Sequence, residues 1–234
     1  MKSAAITSII GGLALSCSFS AFATPLLPGD SVEVSNRAGN AFTPAPVAGD
    51  ANGLYQNVTF RLDEQRNVRA SAGMFVLDYQ QVGSNAWNEF YSFCLEPDVY
   101  LMPFSNPYAV DALADSGYRT ELAELWGRYF DQVDSDLAAA AFQVSIWELS
   151  YDGDRSLDSG SFQLVANDAV HALASTWLSS IDGTGTQASG LLVLGNDPGS
   201  ADRQDLLTQA VPEPGTLAML PLALLAMLRR RTRR

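Results

Sequence analysis

The chain has 234 residues, enough for one domain with a sizeable core, and its 10% aromatic content argues against disorder. Its formal charge is −12, and the imbalance grows once the two basic ends are set aside: between Thr24 and Val211 stand eight arginines, no lysine and 25 carboxylates, a charge of −17. A surface that acidic repels nucleic acid and anionic lipid and excludes both as partners.

The chain opens with Lys2, an apolar stretch from Ile6 to Leu15, and Ala21-Phe22-Ala23. A positive start, a short apolar run and an A-x-A site predict a secretory signal peptide over 1–23, with the mature chain beginning at Thr24. Cys17 invites comparison with a lipoprotein acceptor, but Ala14-Leu15-Ser16 before it lacks the leucine expected three positions upstream. The exported segment then holds one cysteine, Cys94, so no internal disulfide can form in a compartment that permits them.

Residues 24–53, with Pro25, Pro28, Pro44 and Pro46, predict a loosely structured entry segment. Strands are expected over Leu54 to Leu62, Gly73 to Tyr79 and Glu89 to Leu95, with a hairpin turn at Gly83-Ser84-Asn85. Helical spacing follows: Leu122, Leu125, Trp126 and Tyr129 share a face between Thr120 and Phe130. Asp134-Ser135-Asp136 caps a second helix from Leu137 to about Ser150, which Asp152-Gly153 ends. Phe162, Val165, Ala169, Leu173 and Trp177 predict a third helix from about Phe162 to Ser180. Leu191 to Leu194 reads as a closing strand, and Ala201 to Gln209 as a polar run-out. Three strands, three helices and a strand predict a single α+β domain over 54–210, a β-sheet or small barrel with an inserted helical segment.

The last stretch, 211–234, has three parts in fixed order: Val211-Pro212-Glu213-Pro214-Gly215, an apolar run from Thr216 to Leu228, and Arg229-Arg230-Arg231-Thr232-Arg233-Arg234. The run is shorter than the roughly 20 residues that span a bilayer comfortably, and the arginines can snorkel while staying on the cytoplasmic side. This arrangement resembles the PEP-CTERM sorting signal of Gram-negative, exopolysaccharide-producing bacteria. The resemblance implies an exosortase-type membrane enzyme as a partner that cuts near Pro212-Glu213-Pro214. The precursor would be held transiently in the inner membrane through 216–228, then passed to the cell surface or extracellular matrix. A plain tail anchor is the alternative.

Cys94 sits in the strand-like run Phe90-Tyr91-Ser92-Phe93-Cys94-Leu95, where a free cysteine is ordinarily a small buried hydrophobe. In the second helix, Gln143 shares a face with Ala139, Ala140, Ile146, Trp147 and Ser150. An amide on so apolar a face costs about 1–3 kcal/mol if left unpaired, so Gln143 needs a partner or a reason. A thioester supplies a reason: the Cys94 sulfur attacks the Gln143 side-chain carbonyl and expels ammonia. The product is an activated acyl group shielded among Phe93, Phe142 and Trp147, closing a loop of about 50 residues worth roughly 4 kcal/mol on the entropy model for disulfides.

Phe93-Cys94-Leu95-Glu96 together with Ala141-Phe142-Gln143-Val144-Ser145-Ile146-Trp147-Glu148 resembles the paired motifs of bacterial thioester domains, in which an aromatic-Cys strand is joined to a Gln-x-x-hydrophobic-Trp helix. The resemblance implies Cys94 and Gln143 as a cross-linked pair, with Ile146 and Trp147 as the packing that positions Gln143. It also implies an adhesin-like capture of a nucleophilic partner, an amine or hydroxyl on a surface or in the matrix. Phe142 stands where threonine is common in the family, and Ser145 where alanine is typical. The missing lysines fit an amine-reactive protein that must not couple to its own copies, and equally a bias toward arginine.

No cofactor, metal or catalytic residue is expected, and the function anticipated is binding rather than enzymatic. The alternative is a non-covalent structural or sugar-binding component of the matrix. A Cys94–His171 hydrolase would need base and nucleophile within hydrogen-bond reach, whereas His171 lies near Asp168 and Asn167 on the polar side of its helix. Asp152, Asp154 and Asp158 alternate as calcium-loop ligands do, but without the glycine at the sixth position or the glutamate at the twelfth.

Overall fold

A computed structural model of the chain describes residues 25–35, 54–63, 67–99, 101, 106–113, 118–196 and 203–210. The expected signal peptide at 1–23, residues 36–53 of the entry segment and the sorting signal at 211–234 lie outside the described residues. The described strands are β1 (Ser31–Ser35), β2 (Tyr55–Leu62), β3 (Val68–Gly73), β4 (Phe75–Gln81), β5 (Asn88–Cys94), β6 (Asn106–Ala112), β7 (Phe162–Ala166), β8 (Leu191–Asn196) and β9 (Leu206–Gln209). The helices are α1 (Arg119–Tyr129), α2 (Asp136–Tyr151) and α3 (Asp168–Leu178).

Six strands close into an antiparallel barrel in the order β1-β4-β5-β9-β8-β6, with β6 returning to β1, and β3-β2-β7 form a separate antiparallel sheet. The fold is therefore α+β, a small barrel and a sheet with helices carried between strands. Closure removes the unpaired edges that a six-stranded open sheet would expose. Val32, Val34, Leu77, Tyr79, Phe90, Tyr108, Val110, Leu192, Leu194 and Leu206 are buried along the barrel strands. The β4–β5 hairpin turns through Val82 and Gly83, with Tyr79 opposite Asn88 and Phe75 opposite Ser92.

Helix α2 joins the layers. It packs on β2, β3, β7 and β5 and against α1 and α3. Every residue from Ala138 to Leu149 is buried, which is why its sequence shows apolar or small residues on all faces and not in one stripe. Ser135 caps it by accepting the Ala138 N–H at 3.3 Å, and the alanines Ala138 to Ala141 let neighbouring elements approach closely.

Several elements differ from the sequence expectation. Ser31–Ser35, inside the segment read as loose, is β1 and pairs with both β4 and β6. Leu206–Gln209, read as a polar run-out, is β9, seated between β5 and β8. β3 and β6 complete the sheets where no strand was anticipated. The third helix does not begin at Phe162: Phe162–Ala166 is a strand paired with β2, and Asn167 in a left-handed conformation (φ 97°) turns the chain into α3, capping it through Val170 N at 3.3 Å. No helix among the described residues is long and apolar enough to cross a membrane.

Candidate functional site

Cys94 ends β5, where the strand loses one neighbour. On one side Phe93 and Cys94 lie opposite Leu207 and Leu206 of β9. On the other, β4 pairs only as far as Phe75 opposite Ser92, because the chain at Met74 already bonds back to the Leu54 carbonyl, 2.9 Å away. The Cys94 peptide would thus be left without a strand partner in a dry core.

Gln143 takes that place. The Cys94 N–H donates to Gln143 Oε1 at 2.8 Å, and Gln143 Nε2 donates to the Cys94 carbonyl at 2.7 Å. The two bonds close a ring in which a side-chain amide replaces the missing strand, and both residues are only 1% exposed. The partner that the sequence demanded for Gln143 is therefore the backbone of the residue carrying the thiol.

The sulfur is held by the turn that follows the strand. It donates to the Glu96 carbonyl at 2.9 Å. Burial pushes the thiol far above its ordinary value. The Trp147 indole N–H is buried nearby without a hydrogen-bond partner among the described residues. The turn over the sulfur is itself pinned: Gln204 Nε2 donates to the Glu96 and Val99 carbonyls at 3.2 and 2.7 Å, and Glu96 Oε2 accepts the Asp205 N–H at 2.9 Å. Tyr151 holds Asp98 at 2.9 Å.

The aromatic surround expected from sequence is present and larger than anticipated. Phe93 lies 4.8 Å from Phe142 between ring centres, and Trp126 and Phe130 complete the cluster, with Phe93–Trp126 at 5.7 Å and Trp126–Phe130 stacked at 4.6 Å. Trp147 packs on Phe60 and Phe162 at 5.5 and 6.0 Å. Ile146 is fully buried one turn from Gln143. Trp126 carried a signal in the apolar stripe of α1; Phe60 and Phe162 reach the site only through the β2–β7 pairing.

His171 is not brought to Cys94. Its Nε2 pairs with Asp158 at 3.1 Å, not with the Asp168 near it in sequence, and its Nδ1 lies 3.4 Å from the Ser175 hydroxyl. Asp158 is thereby paired away from Asp152 and Asp154, with which it alternates in sequence. Comparison of the chain with protein-family models, curated proteins and solved structures finds no match.

Proposed function

We propose that this is an exported surface or matrix protein that forms an internal thioester between Cys94 and Gln143 and uses it to capture a nucleophilic partner covalently. What carries the reading is the mutual hydrogen bonding of the Gln143 amide and the Cys94 peptide. The Cys94 N–H polarises the amide carbonyl that the sulfur of the same residue would attack, as donors do in an oxyanion site. In the step, sulfur bonds to the Gln143 side-chain carbonyl carbon, that carbon loses its nitrogen, and the thiol proton leaves with the nitrogen as ammonia. The acyl group is then transferred to an amine or hydroxyl with return of the thiol. Because the Glu96–Val99 turn covers the sulfur, capture requires that turn to give way, which keeps water out until a partner docks.

A second reading has its own support: the two hydrogen bonds already satisfy Gln143, so the pair can serve as a non-covalent staple in a structural or sugar-binding matrix protein. Intact mass of the exported protein separates them. A thioester makes the chain lighter by one ammonia, and methylamine then adds its own mass; an unshifted mass that methylamine leaves unchanged supports the staple. Thiol reagents decide only in denaturant, since burial alone protects Cys94 in the native state.

The export reading rests on the two terminal signals. Protein recovered from outside the cell is expected to end near Pro212-Glu213-Pro214. Recovery with Arg229 to Arg234 intact, read by C-terminal peptide mapping, would favour a plain tail anchor.

A further inference from the structure

One group of carboxylates lies outside the Cys94–Gln143 pair. Glu148, in the last turn of α2, is fully buried; its Oε1 accepts the Ser156 N–H at 3.2 Å, and its Oε2 is buried without a hydrogen-bond partner. Asp152 accepts the Phe162 N–H through Oδ2 at 3.1 Å, while its Oδ1 is likewise buried and without a partner. Asp154 is exposed, and its two oxygens take the Ser156 N–H at 2.8 Å and the Ser159 hydroxyl at 3.3 Å. One oxygen from each of the three lies within 4.8 Å of the others. Two oxygens each about 2.4 Å from a shared calcium ion lie at most about 4.8 Å apart.

We propose that Glu148, Asp152 and Asp154 form a calcium site that ties the C-terminal end of α2 to the start of β7. Three carboxylates converge here at the negative end of a helix, where a cation is favoured. The adjacent Arg155 does not answer them; it turns to Glu121 at 3.3 Å and the Ile181 carbonyl at 2.7 Å. The donors are all carboxylate oxygens, which suits calcium and not the nitrogen- and sulfur-seeking zinc or copper. Magnesium, with its strict octahedron and reluctance to shed water, fits a set in which two oxygens are already dry less well. Gly160 (φ +85°) leaves the space in which the Asp152 carboxylate sits, since a Cβ there would collide with it. The proposal stands independently of the thioester, although Glu148 follows Trp147 on the helix that also carries Gln143.

The test is thermal unfolding and titration calorimetry of the full-length chain in detergent, stripped with chelator and returned to calcium or magnesium. Calcium at millimolar concentration is expected to raise Tm by about 5 °C, with a smaller rise for magnesium. Asp154→Asn, at an exposed position, should weaken calcium binding about tenfold or more, and Asp158→Asn should leave it unchanged. Glu148→Gln should remove the calcium response while leaving the ion-free protein about as stable, because the amide keeps the size of the side chain and its acceptor for the Ser156 N–H. No heat and no Tm shift in the parent would overturn the site in favour of a proton shared between Glu148 and Asp152. A response that survives both Asp154→Asn and Glu148→Gln would overturn it in favour of calcium bound elsewhere. Should Glu148→Gln fail to fold, Asp154→Asn alone decides.

Discussion

Gln143→Ala is expected to cost about 3–5 kcal/mol of stability, because it leaves a buried N–H and a buried carbonyl of Cys94 without partners and opens a cavity beside Trp147. Gln143→Met keeps most of the volume and isolates the hydrogen-bond term, so it should recover only the cavity part. Gln143→Glu offers an acceptor for the Cys94 N–H but turns a second oxygen toward the Cys94 carbonyl oxygen. Only the protonated acid can bond both. The folded-state pKa of the introduced carboxyl should therefore be raised above its unfolded value. Its stabilising contribution is fully present below the unfolded value of about 4.3 and is lost as pH rises through the folded one. Denaturant unfolding of this variant should accordingly show most of the parent's stability in mild acid and a deficit at neutral pH; a deficit independent of pH would contradict the paired geometry. Cys94→Ala completes the set, since both hydrogen bonds use backbone atoms and survive it. Without a cross-link the change should cost about 1 kcal/mol, whereas loss of a thioester closing a loop of about 50 residues should add roughly 4 kcal/mol. A small cost therefore argues against the covalent bond even before any mass is measured.

The second large effect is expected at Glu124, a fully buried carboxylate on α1. Its Oε1 accepts from Arg128 at 2.8 Å, and its Oε2 accepts the N–H groups of Asp182 and Gly183 at 3.2 and 2.6 Å. The loop closes over it because Gly185 has no side chain; a Cβ there would stand where the carboxylate is. Burial alone would raise the carboxyl, but the bonds from Arg128 and from the Asp182, Gly183 and Gly185 backbone outweigh it and hold it below the ordinary glutamate value. Glu124→Ala should cost about 2–3 kcal/mol by removing the bonds that these part-buried donors make and opening a space under the loop. Because the folded-state value is depressed, the stabilisation is complete above the unfolded value of about 4.3 and disappears as pH falls through the folded one. Thermal unfolding between neutral and acidic pH should show a steeper loss for the parent than for Glu124→Gln. Parallel curves would mean that the carboxylate charge contributes nothing.

The Cys94–Gln143 juxtaposition was legible from sequence because both residues carry chemistry that their neighbours make conspicuous: a lone thiol in an aromatic strand, and an amide on an apolar helix face. What that reading missed was the form of the contact. Periodicity places a side chain on a face but says nothing about which backbone groups lack a partner, and Gln143 is bonded to the Cys94 peptide only because β4 turns away at Phe75. Glu148 and Glu124 were invisible for a related reason. A carboxylate in a helix ordinarily faces water, and although α2 is apolar on all faces, nothing local reveals that Glu148 shares that burial or that the 182–185 loop folds over α1.

By itself the sequence determined the α+β class, the helices α1 and α2, the β4–β5 hairpin and the residues that line the site, since local propensity and the apolar period carry those. The tertiary structure alone decided the closure of the barrel. β1 and β9 are short strands drawn from segments rich in turn or polar residues, and they become strands only because partners distant in sequence supply their ladders. Phe162–Ala166 fits a helical period as well as a strand; pairing with β2 and the left-handed turn at Asn167 settle it. The same non-local closure carries Asp158 to His171. Glu148 and Asp152 meet by the i,i+4 spacing of the last turn of α2, and what only the tertiary structure decided is that Glu148 is buried there.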